Sequence, residues 1–193
     1  MRRQLVPALV MTACLTVLCG IAYPLAVSGA SSLLFAHRAS GSLVKVDGRI
    51  VGSSLLGQNF HDPKYFWPRP SAAGNDGYDA LASGGSNLGP SNPKLLDAVQ
   101  QRIADYRRAN GLAAGQPVPV DAVTASASGL DPDISVTNAR LQAGRVADAR
   151  GLDPTTVRLL VENHTDHRPW GVLGEDTVNV LDLNVALDHL GRP

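Results

Sequence analysis

The sequence predicts an α+β protein in which one N-terminal transmembrane helix is followed by a single soluble extracytoplasmic domain with a small β part and about four helices. Three observations predict this class. An uninterrupted apolar segment comes first, two short β-like segments follow around an Asp-Gly pair, and the later half contains amphipathic patterns with helix-capping residues. Because these signals occur without internal repeats or low-complexity tracts, we expect one hydrophobic core.

The apolar segment runs from Leu5 to Val27, and no charged residue occurs between Arg3 and Arg38. A helix of this length measures roughly 35 Å at about 1.5 Å per residue, which crosses a hydrocarbon core of about 30 Å. A cleaved signal peptide is the alternative, but its apolar part is usually about 7–15 residues long. We therefore expect a retained single-pass anchor, which Pro24 should kink or end.

Charge predicts the orientation of this anchor. Arg2 and Arg3 form a short basic flank, and such flanks stay in the cytoplasm. The predicted layout is residues 1–4 in the cytoplasm, 5–27 in the membrane, 28–38 as a juxtamembrane segment and 39–193 as the domain outside.

Composition agrees with an exported domain that depends on its core. The chain has 17 Lys+Arg and 17 Asp+Glu, so it offers no basic field for nucleic acid. Both cysteines, Cys14 and Cys19, lie inside the apolar segment. The domain therefore has no cysteine for a disulfide, and hydrophobic burial must stabilise it.

The domain begins with a predicted β-hairpin and a long irregular segment. Ser42–Val46 and Arg49–Ser53 flank Asp47-Gly48, which is a strong hairpin signal. Leu55–Gly89 is rich in Gly, Pro, Asn, Ser and aromatic residues and has no clean periodicity. A segment of this length is either functional or packed by its own side chains.

Four helices and one further strand are predicted after this segment. Asn92 can cap the first helix, Pro93 suits its first position and Gly111 follows its end. This helix has an apolar stripe, which predicts a core-facing side: Leu95, Leu96, Val99, Ile103 and Tyr106. The remaining predicted elements are a strand at Pro117–Ser126, a helix capped by Ser135 and ending at Arg150, a helix capped by Asp153 and ending near Asn163, and a helix at Asn179–Leu190.

Five motifs follow the anchor in order. They are GQNFHDPKYFWPRPSA at 57–72, ASGGSNLGPSNPKL at 82–95, VTASASGLDPDIS at 123–135, RVADARGL at 145–152 and VNVLDLNVALD at 178–188. Together they resemble the KdpC family, the C subunits of the bacterial Kdp potassium-transporting P-type ATPase, over essentially the whole chain. One departure concerns the third motif, which commonly reads Ser-Gly-Ser-Gly in the family and has Ala127 in place of its first glycine here.

The resemblance implies a non-catalytic subunit of an ATP-driven, high-affinity potassium import complex in the bacterial cell (inner) membrane. It implies three partners: a potassium-binding channel-like subunit, a P-type ATP-hydrolysing subunit and a small membrane subunit. The family's C subunit has been called a catalytic chaperone that raises the affinity of the ATP-hydrolysing subunit for ATP. ATP and potassium are then expected at the partner subunits, with no cofactor or metal bound directly by this chain.

The same resemblance implies structural and contact roles, without catalysis, for the motif residues. These residues are Asp62, Tyr65, Phe66, Arg69, Ser83, Gly84, Gly85, Ser86, Asn87, Ser91, Asn92, Pro93, Gly129, Asp131, Pro132, Arg145, Asn179 and Asn184. The residue types agree for the glycine pair, because Gly84 and Gly85 permit positive φ. The side chains of Ser83, Ser86 and Asn87 can hydrogen-bond nearby backbone and hold the turn.

The aromatic run Phe60–Pro70 has two interpretations that both stay open. It holds four of the nine aromatic residues of the chain, and Tyr, Trp and Arg are typical anchors of protein interfaces. The other interpretation is a satellite core beneath a long loop.

Three other site chemistries are weaker. A free-standing extracytoplasmic serine hydrolase would use Ser86 or Ser91, and Ser91-x-x-Lys94 matches one such pattern, but no Lys-Thr-Gly or Ser-Asp-Asn follows. The glycine pair lacks the lysine of a phosphate-binding P-loop. His164-x-x-His167 has no further His or Cys that would complete a metal set.

Overall fold

The computed structural model describes residues 2–190, with no side-chain description for Arg2, so the ends of the predicted layout at residues 1 and 191–193 lie outside the described part. The chain divides near residue 43 into two compact units, an N-terminal helical unit and a C-terminal domain. The helices and strands of each unit follow from the sequence of that unit.

The N-terminal unit is a long apolar helix. It consists of α1 (Arg2–Val17), a π-helical turn (Leu18–Ala22) and α2 (Tyr23–Leu34). Residues 3–34 form one uninterrupted stretch of 32 residues that is long and apolar enough to cross a membrane, and its most apolar part is fully unburied. The helix therefore continues beyond the predicted end at Val27, and a short helix α3 (Ala36–Ala39) follows.

Pro24 does not end the helix, contrary to one of the two expected outcomes. The backbone N–H of Tyr23 donates to the carbonyl of Leu18, five residues earlier, in the wider π-helical turn. This turn lies directly before the proline, which itself has no N–H to donate. The π-helical turn thus accommodates the proline, and the helix continues without a break.

The hairpin prediction is confirmed. Strands β1 (Leu43–Val46) and β2 (Arg49–Ser53) pair as a two-stranded sheet. Asp47 and Gly48 both have positive φ, at 51° and 78°, as a type I′ turn requires. Residues 54–92, here called the motif loop, contain neither helix nor strand.

The four domain helices are also confirmed, together with their caps. They are α4 (Pro93–Ala109), α5 (Val136–Arg150), α6 (Pro154–Asn163) and α7 (Val180–Leu190). Asn92, Ser135 and Asp153 each accept a hydrogen bond from a backbone N–H of the first turn. The last helix starts one residue later than predicted, because Asn179 ends a strand and its side chain accepts from the N–H of Asp182.

A three-stranded antiparallel sheet supports these helices. Its strands β3 (Asp133–Ser135), β4 (Thr165–Asp166) and β5 (Thr177–Asn179) have the order β3-β5-β4, with Val178 opposite Ile134 on one side and Thr165 on the other. The core lies between the sheet and helices α5, α6 and α7 and contains Phe66, Ile134, Ala139, Ala143, Val146, Ala147, Val157, Val161, Val178, Val180, Leu183 and Leu187.

Two expectations about the middle of the domain are wrong. Pro117–Ser126 is not a strand but an irregular segment with a 3-10 turn at Val120–Ala122; two of its residues are prolines, which cannot donate to a ladder. The stripe on α4 is not a core face either, because only Tyr106 is buried and Leu96 is 47% exposed. This helix therefore lies at the edge of the core.

Candidate functional site

The aromatic part of the motif loop, residues 60–70, is held by two buried amide side chains. Asn184 accepts from the N–H of Phe66 at 2.8 Å and donates to its carbonyl at 3.0 Å. Gln142 accepts from the N–H of Trp67 at 2.7 Å and donates to its carbonyl at 3.1 Å. Each amide thus pairs with the loop backbone as a neighbouring strand would. Phe66 is fully buried as a result.

The second amide belongs to a chain of polar groups inside the domain. Gln142 donates to the side-chain oxygen of Asn138 at 2.9 Å, and the hydroxyl of Tyr106 donates to the same oxygen at 2.8 Å. Asn138 in turn donates to Asp121 at 2.9 Å. Burial raises the pKa of Tyr106, so its phenol remains a neutral donor. A fully connected network of this kind fixes one arrangement of the core.

Arg145 is the cation at the centre of this site. Its guanidinium donates to the carbonyls of Pro63 and Tyr65, to Gln142 at 2.7 Å and to Asn110 at 3.0 Å. Its central carbon also lies 4.0 Å from the ring centroid of Trp67. Burial lowers the pKa of Arg145 to about 10, so the group stays charged at neutral pH.

A second arginine, Arg150, contacts the aromatic part of the loop at Tyr65. Arg150 forms a 2.7 Å ion pair with Asp188 and lies 4.9 Å from the ring centroid of Tyr65. The Tyr65 hydroxyl donates to the other oxygen of Asp188 at 3.0 Å. Asp62 lies at the exposed turn before these residues, where the backbone N–H of Lys64 holds its pKa below the ordinary value.

Beyond the aromatic part, the loop meets the turn at residues 126–132. Arg69 forms a 2.7 Å ion pair with Asp131, and Ser71 donates to the carbonyl of Gly129 at 2.6 Å. Tyr78 donates to the carbonyl of Arg69, and burial raises its pKa to about 12. The same turn reaches α7, since the carbonyl of Pro132 accepts from the first N–H of that helix.

The glycine pair lies against this turn, but not for the predicted reason. Neither Gly84 nor Gly85 has positive φ; the positive φ nearby is that of Asn87, at 52°. Gly85 instead approaches Ala127 closely, since a Cβ on Gly85 would lie 3.2 Å from the Ala127 carbonyl oxygen. Close approach of two backbones is the other condition that glycine satisfies. Ala127 has no positive φ, so its replacement of the family's usual glycine is compatible with the turn.

Hydrogen bonds at the glycine pair are long-range. The N–H of Gly84 and the hydroxyl of Ser83 both donate to the Ser128 carbonyl, at 2.8 and 2.9 Å. In the described part of the chain, the side chains of Ser86 and Asn87 make no hydrogen bond, so the expectation that they hold the turn is wrong for these two.

The serines of the alternative hydrolase and the histidines of the weaker metal hypothesis lie apart from this site. Ser86 and Ser91 are exposed, and neither is hydrogen-bonded to a histidine or lysine within residues 2–190. His164 contacts the carbonyl of Leu160, whereas His167 contacts Asp176. Over the same residues, no cluster of three metal-binding side chains occurs.

Sequence patterns identified Arg145 and Asn184 through the motifs but missed Asn138, Gln142 and Asp121. A signal was present, because Asn138 and Gln142 are four residues apart and share a face of α5 that is otherwise alanine and valine. A polar pair on a buried helix face indicates that another segment crosses that face.

Arg145→Lys is expected to destabilise the domain by about 3 kcal/mol or more. Hydrogen bonds to a charged group contribute roughly 1.5–3 kcal/mol each, and the ammonium of lysine cannot reproduce the planar set of donors of the guanidinium. The matched control is Arg140→Lys on the same helix, whose exposed pair with Glu162 at 3.6 Å should be worth less than about 1 kcal/mol. Thermal unfolding of the full chain in mild detergent measures both. Equal effects of the two substitutions would contradict the assigned role of Arg145.

The family described as "KdpC: K+-transporting ATPase, c chain" has a sequence model that matches residues 5–189. The chain belongs to the KdpC family. Among its relatives is the potassium-transporting ATPase KdpC subunit of Mycobacterium tuberculosis (strain H37Rv), which is 59% identical over 190 residues, covering 98% of this chain and 100% of the relative. That of Variovorax paradoxus (strain S110) is 62% identical over 183 residues, covering 94% of both chains.

The family match covers both the apolar helix and the motif residues of the domain. The KdpC match spans the apolar helix and the domain together, so the helix that is apolar enough to cross a membrane is part of the family pattern. The KdpC motifs at 57–72, 82–95 and 123–135 are the segments that contact one another through Arg69, Ser83 and Gly85. These three motifs thus form one contiguous part of the domain.

Proposed function

We propose that this chain is a non-catalytic, membrane-anchored subunit that assembles with and stabilises the ion-binding and ATP-hydrolysing subunits of a potassium import ATPase. One observation carries the proposal. The polar groups of Asn184 and Arg145, two of the motif residues, are used on the protein's own backbone. Residues used in this way build a rigid contact surface and leave those groups unavailable to a substrate.

ATP and potassium act at the partner subunits in this proposal. The basic flank at Arg2 and Arg3 supports a domain outside the bacterial inner membrane, whereas ATP is cytosolic. The chain then raises the ATP affinity of its partner, as a catalytic chaperone does, by binding one pump conformation better than another. Coupling of this kind needs only differential affinity for two states.

Assembly and ATP affinity test the proposal together. The tagged full chain should copurify in gentle detergent with the channel-like, P-type and small membrane subunits. Removing it should raise the ATP concentration needed for half-maximal activity, on the order of 5- to 150-fold for a coupling of about 1–3 kcal/mol. Ser86→Ala and Ser91→Ala should leave both readouts unchanged, since neither hydroxyl is expected to react.

A matched variant replaces residues 5–27 by an unrelated spanning helix. The native helix carries Thr12, Thr16, Gly20 and the two cysteines, small or polar side chains of the kind that let helices approach closely in lipid. We expect weaker copurification and weaker potassium uptake in the swap. Tight ATP binding to the full chain alone, measured by calorimetry and lost in Gly85→Val, would contradict the indirect route.

Topology is a separate expected outcome. Protease added to intact spheroplasts should digest the domain and leave the N-terminal helix in the membrane, because basic residues flank the helix at its N-terminal end. A cytoplasmic protein serves as the control for spheroplast integrity. A protected domain, or a mature chain that starts after Val27, would show that the orientation or the retained anchor is wrong.

A further inference from the structure

The loop between β4 and β5, residues 167–176 and here called the tryptophan loop, presents apolar side chains to solvent. Trp170 is 88% exposed, Val172 is 76% exposed and Leu173 is 52% exposed. Single exposed apolar residues are ordinary, but three within four positions at one tip form a patch that indicates a contact. The pump function proposed above does not account for this patch.

The base of the tryptophan loop is fixed. Asp176 accepts from the backbone N–H of Arg168 at 3.0 Å and pairs with the side chains of Arg168 at 3.7 Å and His167 at 3.3 Å. The hydrogen bond from Arg168, followed by that from His167, holds the pKa of Asp176 below its ordinary value, so the carboxylate is charged at neutral pH. These contacts hold the two ends of the loop together, and its tip projects from them.

The backbone at the tip is strained. Trp170 has φ 54°, a region that bulky residues rarely adopt. The exposed indole gains no packing in return. Backbone strain that the fold itself does not compensate is typical of residues that act in a contact.

We propose that the tryptophan loop inserts into the interfacial region of the lipid bilayer that holds the anchor. Tryptophan concentrates at this interface, where its ring meets both acyl chains and headgroups. Leu and Val extend the apolar contact, and the flanking Arg168 and His167 can donate to lipid phosphates. Peripheral segments of such composition bury on the order of 5–10 Å into the headgroup and acyl boundary.

Two observations favour lipid over a protein partner. The membrane helix ends at Leu34 and β1 begins at Leu43, so the connecting chain spans at most about 30 Å at roughly 3.3–3.6 Å per residue. A bilayer is therefore always available to the domain at high effective concentration. The patch is also small, since three side chains fall short of the roughly 800 Å² per partner of a stable protein interface.

Tryptophan fluorescence tests the proposal, because the chain has two tryptophans. Trp67 donates its indole N–H to the carbonyl of Asp62 at 3.1 Å and lies under Arg145. The full chain and its Trp170→Phe variant are placed in phosphatidylcholine nanodiscs whose acyl chains are either brominated or unbrominated. In each kind of nanodisc, the difference between the emission of the two proteins reports Trp170. We expect bromine to quench this difference emission, more strongly near the headgroup than near the bilayer centre.

A double variant, Val172→Asp with Leu173→Asp, should red-shift the Trp170 emission and abolish its quenching. The matched control is Leu81→Asp, at a leucine that is 98% exposed elsewhere in the domain, and it should leave the quenching unchanged. An unquenched, acrylamide-accessible Trp170 in the nanodisc overturns the proposal. So does shielding of Trp170 that occurs only after the partner subunits are added, which would identify a protein contact.

Discussion

Replacing Gly129 by valine is expected to destabilise the domain strongly, and more than a valine at Gly85 would. Gly129 has φ 67°, and a Cβ there would lie 2.6 Å from the Gly84 carbonyl oxygen and 2.8 Å from the Ala73 nitrogen. The left-handed backbone costs about 1–2 kcal/mol, and overpacking adds about 1–3 kcal/mol. The substitution also pushes apart two of the motifs that this turn joins.

Gly151→Val is the matched control for this prediction. Gly151 has nearly the same φ, 64°, but nothing lies within 4 Å of its added Cβ. Its cost is therefore the backbone cost alone. Thermal unfolding of the full chain in detergent should give a Tm lower by roughly 4–20 °C for Gly129→Val, at about 2–4 °C per kcal/mol. Equal losses in the two variants would show that the close backbone approach has no energetic role.

Asn184→Leu is expected to have a similarly large effect. Asn184 is 2% exposed and satisfies both backbone groups of the fully buried Phe66. Leucine has a similar size but no polar atom, so a buried N–H and a buried carbonyl lose their partners. Each unsatisfied group costs about 1–3 kcal/mol, which predicts a loss of about 2–6 kcal/mol.

The control for this change is Asn163→Leu, at an exposed asparagine on the last position of α6. A surface substitution there should stay within about 0.5 kcal/mol. Detergent-solubilised full chains, unfolded by urea and followed by Trp67 fluorescence in the Trp170→Phe background, measure both. If Asn184→Leu is as mild as its control, the amide does not hold the aromatic part of the loop. We also expect Asn184→Leu to lower potassium uptake, because the same pairing positions the proposed contact surface.

Local chemistry explains what the sequence predicted correctly. The starts of α4, α5 and α6 depend on a capping side chain and the N–H groups of the next turn, so Asn92, Ser135 and Asp153 were sufficient. The hairpin depends on two adjacent residues that tolerate positive φ. The family resemblance rested on motif order and was confirmed over residues 5–189.

The candidate site was predicted only in part. Arg145 and Asn184 were named through the motifs, but their roles depend on backbone groups 80 and 118 residues away along the chain. Pattern reasoning has no access to such pairings, because neither residue differs locally from an ordinary helical polar residue. Gln142 lies outside the motifs, and its spacing from Asn138 on one buried face of α5 is its local signal.

The sequence by itself determined the long apolar helix, the hairpin, the four domain helices and the family, since each depends on neighbouring residues or on motif order. Only the tertiary structure decided the β3-β5-β4 sheet and the contact of Gly85 with Ala127. Strands of two or three residues have too little periodicity to be recognised. Their existence depends on partners brought together by the core, and the free energy of those long-range contacts overrides local propensity.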